Sequence, residues 1–279
     1  MSSHEGLGPG SISAVVVARN EEAVLDRCLN SLDSVVDEIV LVHDGDCDDS
    51  SLEIAKRHGA RVFVQPASGS PEAQTVFGYH QCRGEWLLNI DADEYLSDEL
   101  HAALPELVRR TGVNGYAFLW RQWDGEKHMT EAGPYKLVLF RRAAVHLLGM
   151  NEALEQVDGV VERSQLELVH RPLYNNFTLR VIFTKWRRRA RIQARQYLSD
   201  FSELPKFNWP ADDWPRWRRI ANALSPLLFV PYGFATFAVA FREGRSSYTL
   251  AENLRFGFYV GLYAGMVQFY VAKFRYLGR

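Results

Sequence analysis

Segments typical of buried strands alternate with segments of helical spacing through residues 12–94. The predicted strands are ISAVVVA (12–18), EIVLV (38–42), ARVFVQP (60–66), which ends at Pro66, and a fourth within GEWLLNIDADE (84–94). Between them, AVLDRCLNSL (23–32) and SLEIAKRHG (51–59) carry apolar residues at helical intervals. This alternation predicts an α/β fold, with a mostly parallel sheet and flanking helices.

Polar clusters follow three of the predicted strands. They comprise residues 20–22 (Asn-Glu-Glu), the aspartates of DGDCDDS (44–50), and the pair Asp91 and Asp93. Parallel α/β sheets bind ligands at the carboxyl ends of their strands, so the three clusters are expected on one rim. One cluster alone is typical of a solvated turn or a helix cap. Three such clusters, each after a predicted strand, favour a binding site.

The carboxylates of Asp91, Asp93 and Glu94 would repel one another, so a cation is expected among them. We predict Mn²⁺ or Mg²⁺ against Asp93, with Asp91 nearby, because these ions prefer hard oxygen ligands. Such an ion would neutralise a departing diphosphate. Asp44 is predicted to bind a base or ribose, and the backbone of 18–21 to line a nucleotide pocket. The absence of a glycine-rich phosphate loop argues against the P-loop and dinucleotide-binding classes.

Charge divides the chain into two parts. Residues 1–170 hold 14 Lys/Arg and 28 Asp/Glu, a net −14, whereas residues 171–279 hold 18 and 6, a net +12. An acidic part followed by a basic part indicates two different roles. From about Asn114, the segments GYAFLWRQW and YKLVLFRR predict further strands that extend the sheet.

The basic part joins cations to aromatic residues in KWRRRAR (185–191) and WPADDWPRWRR (209–219). Two apolar stretches follow, 224–241 and 256–272, near the lower length limit for crossing a bilayer. Basic and aromatic residues also suit nucleic acid. The apolar stretches instead favour a membrane partner and no nucleic acid. The arrangement of these two apolar stretches stays open. They could form a short helical hairpin, lie flat or re-entrant in the membrane, form a buried helix pair, or form a dimer interface.

The three cysteines have no metal-type spacing, which predicts a reduced, cytosol-facing protein. The N-terminus lacks a basic start followed by an apolar stretch, so no signal peptide is expected. Together with the tail, this predicts a location at the cytoplasmic face of the cell membrane. The protein would be peripheral or monotopic there, or held by two short membrane helices.

The motifs VVVARNEE (15–22), DGDCDDS (44–50) and RGEWLLNIDADE (83–94) resemble those of glycosyltransferase family 2, which has a GT-A fold. The segments KLVLFRR (136–142), LGMNEALE (148–155) and LVHRPLY (168–174) are similar to those of membrane-associated lipopolysaccharide-core glucosyltransferases. Three positions depart from the family pattern: Asp46 replaces a serine, Gln74-Thr75 replaces arginine-asparagine, and Asn151 stands where histidine is common.

The resemblance implies inverting transfer from a nucleotide-diphosphate sugar, most simply a UDP-sugar, to a lipid-anchored or glycan acceptor. Glu152 would be the general base, with Asp124 and Asp158 in reserve. Arg141 and Arg142 would meet a phosphate or an anionic acceptor. The metal would be held by Asp93, with Asp91 and His170 contributing. The implied donor-binding residues are Ala18, Asn20, Glu21, Glu22, Asp44, Asp46, Gln74, Asp91, Ala92 and Asp93.

The predicted organisation is a flexible N-terminus (1–10), a GT-A domain (11–175), a basic amphipathic helical linker (176–223) and a membrane-associated helical segment (224–279). Three alternatives remain for the function. They are a polyprenyl-phosphate glycosyl synthase, a nucleotidyltransferase on the same fold, and a catalytically silent membrane protein that keeps only the nucleotide pocket.

Overall fold

The computed structural model describes residues 7–129, 134–176, 178–244 and 249–277. The strands are β1 (Ile12–Ala18), β2 (Glu38–Asp44), β3 (Arg61–Gln65), β4 (Trp86–Asp91), β5 (Glu94–Leu96), β6 (Gly115–Leu119), β7 (Tyr135–Arg141), β8 (Val145–Leu148), β9 (Gln156–Val157), β10 (Val161–His170) and β11 (Lys206–Phe207). The helices are α1 (Glu22–Asn30), α2 (Ser51–Arg57), α3 (Pro71–Gln81), α4 (Asp98–Leu107), α5 (Leu179–Val181), α6 (Arg187–Leu198), α7 (Arg216–Ala223), α8 (Ser225–Gly244) and α9 (Leu250–Leu277).

Eight strands form the central sheet, in the order β3-β2-β1-β4-β7-β6-β10-β5. The first four strands of this order are mutually parallel, and β6 and β10 are also parallel. The α/β prediction is therefore confirmed, and the four strands expected from the first ninety-odd residues all form. This arrangement is consistent with the GT-A fold that the resemblance implies.

Strand β7 runs antiparallel to both of its neighbours, β4 and β6. Its start therefore lies beside the end of β4, and its end lies beside the start of β4, where Arg141 pairs with Trp86. Strand β10 ends at His170, which pairs with Glu94 at the start of β5. The rim at the carboxyl ends of β1, β2 and β4 thus also receives Lys136 and His170.

Both faces of the sheet are covered. Helix α1 buries Val24, Leu25 and Leu29 in the larger apolar cluster on one face. Helix α3 covers the opposite face and approaches closely at Gly78, where a Cβ atom would lie 2.6 Å from Cγ1 of Val15. With both faces closed by apolar packing, the rim is where the polar ends of the strands meet solvent.

Segments of the predicted linker pack on the rest of the chain. Strand β11 pairs with β8. A third apolar cluster joins β8 to α6 and α9 through residues such as Leu148, Ala194 and Val271. In the predicted N-terminal segment, the backbone N–H of Gly10 donates to Glu85 at 2.6 Å. Residues 1–6 lie outside the described residues.

Helices α8 and α9 pack directly against each other. A Cβ atom at Gly261 would lie 2.6 Å from the carbonyl oxygen of Gly233, so the glycines permit the backbones to touch. None of the helices in the described part of the chain combines the length and apolar character that crossing a bilayer requires. Large apolar side chains are nevertheless exposed along this pair: Leu227, Val230, Phe234, Val239, Leu250, Leu254, Phe258, Phe269, Tyr276 and Leu277.

Candidate active site

The ammonium group of Lys136 lies among the carboxylates at the end of β4 and just after it. Nζ of Lys136 lies 2.6 Å from Oδ2 of Asp91, and 2.7 and 2.9 Å from the two carboxylate oxygens of Glu94. Glu94 also accepts the backbone N–H of Asp91 at 2.9 Å. Partial removal of the Asp91 carboxylate from water would raise its pKa, but the Lys136 ammonium holds it below its usual value. The cation expected among these carboxylates is thus, in part, the protein's own.

Asp93 faces a histidine instead. Its Oδ2 lies 3.5 Å from Nε2 of His170, and the imidazole packs on the ring of Trp120 with centroids 4.8 Å apart. One carboxylate and one imidazole on the same side are a donor set that Mn²⁺ or Mg²⁺ can use when phosphate oxygens and water complete its shell. Within the described residues, no group of three or more His, Cys, Asp or Glu side chains is arranged to hold a metal ion. The pair therefore fits an ion shared with a substrate.

Asp44, at the end of β2, organises the neighbouring loop. It accepts hydrogen bonds from the backbone N–H and hydroxyl of Ser68, at 2.7 and 3.0 Å, and from the side-chain amide of Gln74 at 2.6 Å. Burial alone would raise the pKa of Asp44, but these bonds keep it below its usual value. Asp44 and Gln74, both expected to bind the donor, therefore lie together at the rim.

The loops after β1 and β2 are joined by hydrogen bonds. The side-chain oxygen of Asn20, whose φ is +55°, accepts the backbone N–H of Asp48 at 3.0 Å. The backbone N–H of Glu22 donates to Asp49 at 3.0 Å. Buried His43 accepts the N–H of Asn20 through Nε2, which leaves Nδ1–H to donate to the carbonyl of Gly45. Two of the predicted clusters thus form one connected surface.

Glu21 faces the acids across the rim. Burial, and then the nearby charge of Asp93, raise its pKa to about 7. By contrast, Asp46 is exposed. Ala18 and Ala92 belong to the apolar core, so only their backbone atoms can line a donor pocket.

Glu152, the expected base, is held in an ionic cluster. Its Oε1 lies 2.8 Å from Nε of Arg189 on α6, and its backbone N–H donates to Glu72 at 2.8 Å. Arg189 also reaches Glu72, at 3.2 Å. The backbone of Glu152 adopts a left-handed φ of +62°, and its side chain is 42% exposed. The arrangement fixes the carboxylate while leaving it open to a substrate.

The adjacent residue ties this segment to the C-terminal helices. Buried Asn151 donates through its side-chain amide to the hydroxyl of Tyr263 on α9 at 3.1 Å and to the carbonyl of Arg189 at 3.2 Å. Its backbone N–H donates to Gln196 at 2.9 Å. The helices that the sequence assigned to membrane attachment therefore also support the segment that carries Glu152.

Arg141 and Arg142 were expected to meet a phosphate or an anionic acceptor, and the structure places both away from the rim. Both lie at the far end of β7, beside the start of β4, because β7 runs antiparallel. The Arg141 guanidinium pairs with Glu85 and covers the ring of Trp86. Arg142 lies over Phe207. Neither arginine is at the rim.

The two reserve bases have structural partners. Asp124 accepts the backbone N–H groups of Glu126 and Lys127 and so closes a turn. Asp158 lies 2.8 Å from Nε2 of His146. These three contacts account for both aspartates without a substrate.

Residues 13–151 match the family model described as glycosyl transferase family 2. An uncharacterized glycosyltransferase of Rickettsia typhi is 43% identical over 89 residues, which cover 32% of this chain and 30% of that protein. The lipopolysaccharide core biosynthesis glycosyltransferase LpsC of Rhizobium meliloti is 37% identical over 101 residues, which cover 35% of this chain and 37% of LpsC. The chain thus matches only about a third of the length of these relatives.

Two solved structures are also similar. Glucosyl-3-phosphoglycerate synthase from Mycobacterium tuberculosis, in complex with Mn²⁺ and UDP-glucose, has a TM-score of 0.34 and 22% identity over 40% of this chain and 44% of that one. S. aureus TarS 1-349, in complex with UDP, has a TM-score of 0.42 and 13% identity over 96% of this chain and 92% of that one. These likenesses are weak, and the family assignment rests on the sequence matches.

The mostly parallel sheet with its acidic rim defines the general class as an α/β protein with a binding site at the carboxyl ends of its strands. Residues 13–151 of the chain match glycosyltransferase family 2, and the two sequence relatives are named glycosyltransferases.

Proposed function

We propose that this protein is a metal-dependent, inverting glycosyltransferase that uses a nucleotide-diphosphate sugar, most simply a UDP-sugar. One observation carries the proposal: three strand-end clusters meet at one rim. There Asp44 is fixed by Ser68 and Gln74, and Asp93 lies 3.5 Å from His170. A rim with hydrogen-bonding groups at one side and a metal-ligand pair at the other suits a nucleoside joined to a diphosphate.

Different residues of the rim would bind different parts of the donor. Asp44 and the loop it holds would bind the base. The open oxygen of Asp91 would accept a hydrogen bond from the ribose. Asp93 and His170 would hold Mn²⁺ or Mg²⁺, which when bound offsets the charge of the departing diphosphate.

Glu152 would act on the acceptor. Its carboxylate removes the proton from the acceptor hydroxyl as that oxygen bonds to the anomeric carbon. The bond from the anomeric carbon to the diphosphate breaks on the opposite face, so the configuration inverts. Arg189 holds the Glu152 carboxylate in place through the 2.8 Å contact of its Nε with Oε1.

The proposed acceptor is membrane-anchored: a lipid-linked saccharide or a lipopolysaccharide core. The name of the relative LpsC supports this, as do the exposed apolar side chains of α8 and α9 with basic residues beside them. We place the protein at the cytoplasmic face of the cell membrane, with this helix pair on the bilayer surface. A polyprenyl phosphate would be the alternative acceptor.

The test is nucleotide release from UDP-, GDP-, dTDP- and ADP-sugars, with Mn²⁺, Mg²⁺ or EDTA, with and without membrane lipid extract. We expect metal-dependent release from one donor. It should be lost in Asp93→Ala and kept in Asp212→Ala, which changes an exposed aspartate remote in sequence from the rim.

Two results would contradict the proposal. Nucleotide binding without release, even with lipid extract, would indicate a silent binding protein. Release that is equal in EDTA would remove the metal from the mechanism.

A further inference from the structure

We propose that Lys136 is a positioning residue that keeps Asp91 out of the coordination shell of the divalent cation, so that Asp93 and His170 are the protein ligands. This inference rests on the proposed function, because it concerns the same site. It assigns a role to Lys136, the first residue of the segment KLVLFRR, for which the sequence alone predicted none.

The ammonium group of Lys136 is fully engaged. A lysine has three N–H donors and no acceptor. Three carboxylate oxygens surround Nζ at 2.6, 2.7 and 2.9 Å, one from Asp91 and two from Glu94. Glu94 in turn accepts the backbone N–H of Asp91 at 2.9 Å. This closed ring of contacts fixes both the backbone and the side chain of Asp91.

The charges around the two aspartates therefore differ. A positive charge lies 2.6 Å from Oδ2 of Asp91 and would repel a divalent cation placed against that oxygen. Asp93 instead faces His170, whose imidazole can itself ligate a metal. A cation at the rim should thus favour Asp93.

The other carboxylate oxygen of Asp91 remains available for a hydrogen bond. Its side chain is 57% exposed, so Oδ1 remains open at the rim although Oδ2 is bound. An ionised carboxylate oxygen held in a fixed direction is a good acceptor for a hydroxyl group. Lys136 would therefore orient Asp91 for hydrogen bonding rather than for metal binding.

The indole ring of Trp120 contacts both the lysine and His170. Nζ of Lys136 lies 5.3 Å from the centroid of Trp120, and the same ring packs on His170 at 4.8 Å. The lysine side chain is only 22% exposed. It cannot easily turn away to release Asp91 without losing both the carboxylates and the ring.

The test is titration of the full-length protein with Mn²⁺ in the presence of UDP, with free Mn²⁺ followed by electron paramagnetic resonance. Asp93→Asn should weaken Mn²⁺ binding by about tenfold or more, whereas Asp91→Asn should change it by less than about twofold. Lys136→Met should tighten binding several-fold, because Asp91 becomes available to the ion. Adding Asp91→Asn to Lys136→Met should remove that gain, and Lys136→Arg should behave as the wild type.

Removal of the lysine charge leaves Glu94 buried without its partner, which could prevent folding. The double variant Lys136→Met/Glu94→Gln removes both charges and serves as a second background for the Asp91→Asn comparison. Circular dichroism verifies that each variant is folded.

The outcomes separate this inference from the proposed function. If Asp91→Asn weakens binding as much as Asp93→Asn, the role of Lys136 is wrong while metal dependence stands. If Lys136→Met leaves the affinity unchanged, the inference is also overturned. Absence of Mn²⁺ binding in every variant would overturn both the inference and the metal-dependent function.

Discussion

Replacing Glu21 by glutamine should stabilise the protein at alkaline pH and leave it almost unchanged at acid pH. Glu21 lies half-buried at the rim, where burial and the charge of Asp93 both oppose its ionisation. Its pKa is about 7 in the folded protein and 4.5 in the unfolded chain. Folding in that interval therefore requires uptake of a proton, and stability falls as the pH rises from about 4.5 to 7.

The size of the effect follows from the shift. Moving a pKa from 4.5 to about 7 corresponds to about 3 kcal/mol above pH 7 if the whole shift reports on folding. Glu21 is partly open to solvent, which screens its repulsion from Asp93, so we expect about half of this, roughly 1–2 kcal/mol. Glutamine keeps the shape and cannot ionise. The variant should recover that amount at pH 8 and only a few tenths (~0.2 kcal/mol) at pH 4.5.

The assay is urea denaturation of wild type and Glu21→Gln at both pH values, in EDTA. Glu53→Gln, on the exposed side of α2, is the matched control and should show no pH-dependent gain. Adding Mn²⁺ at pH 8 should shrink the gain, since a cation near Asp93 offsets the penalty on ionised Glu21. An equal effect at pH 4.5 and pH 8, or a loss of stability at pH 8, would refute the reasoning.

Three further changes have definite expected results. Gly84→Ala should cost about 2 kcal/mol in urea denaturation, because its Cβ would lie 2.7 Å from a backbone nitrogen, whereas Gly115→Ala, which meets only side chains at 3.2 Å or more, should cost less than half as much. Asp158→Asn removes the partner that raises the pKa of His146. Because the folded-state pKa is raised, this pair stabilises the fold at low pH, and the stabilisation disappears as the pH rises through the folded pKa. The variant should therefore lose about 0.5 kcal/mol of unfolding free energy at pH 5.5 and none at pH 8.5. Phe234→Glu, at a side chain 70% exposed on α8, should reduce binding to anionic vesicles by about tenfold with an unchanged Tm, and unchanged binding would contradict the proposed membrane contact.

The sheet could be predicted from the sequence because its central strands are buried on both faces. Strand β1 is almost entirely buried, so ISAVVVA reads as a continuous apolar run with polar residues just beyond it. The rule that ligands bind at the carboxyl ends of parallel strands then brought Asp44, Asp93 and Asn20 to one rim. The structure places all three there, and the side-chain amide of Gln74 donates to Asp44 beside them.

Strand direction could not be predicted in the same way, and it decided which cation reaches the rim. The segment KLVLFRR has a lysine at one end and two arginines at the other. If β7 were parallel to β4, Arg141 would lie at the rim. Because it is antiparallel, Lys136 lies there instead. The local pattern of apolar residues is the same in either direction, so it carries no signal that distinguishes them.

Contacts between segments that are distant in the sequence could not be predicted either. Arg189 and Glu72 are 117 residues apart, yet they meet in the cluster that holds Glu152. A run of cations such as KWRRRAR is compatible with a membrane surface, a nucleic acid or an ion pair within the protein. Only the packing of α6 against the rim selects the last of these for Arg189.

The position of α6 gives a physical reason for the opposite charges of the two parts of the chain. Arg189 pairs with Glu72 and Glu152, and Arg188 lies over Gly69 in the loop that Asp44 holds. Part of the basic segment thus neutralises the acidic rim rather than a bilayer. A rim that must admit a diphosphate cannot stay strongly negative, because each uncompensated carboxylate would repel the donor. Lys136 supplies positive charge from within the sheet and α6 supplies it from the C-terminal part. On this argument, α6 belongs to the active site, and a protein without it should lose donor binding.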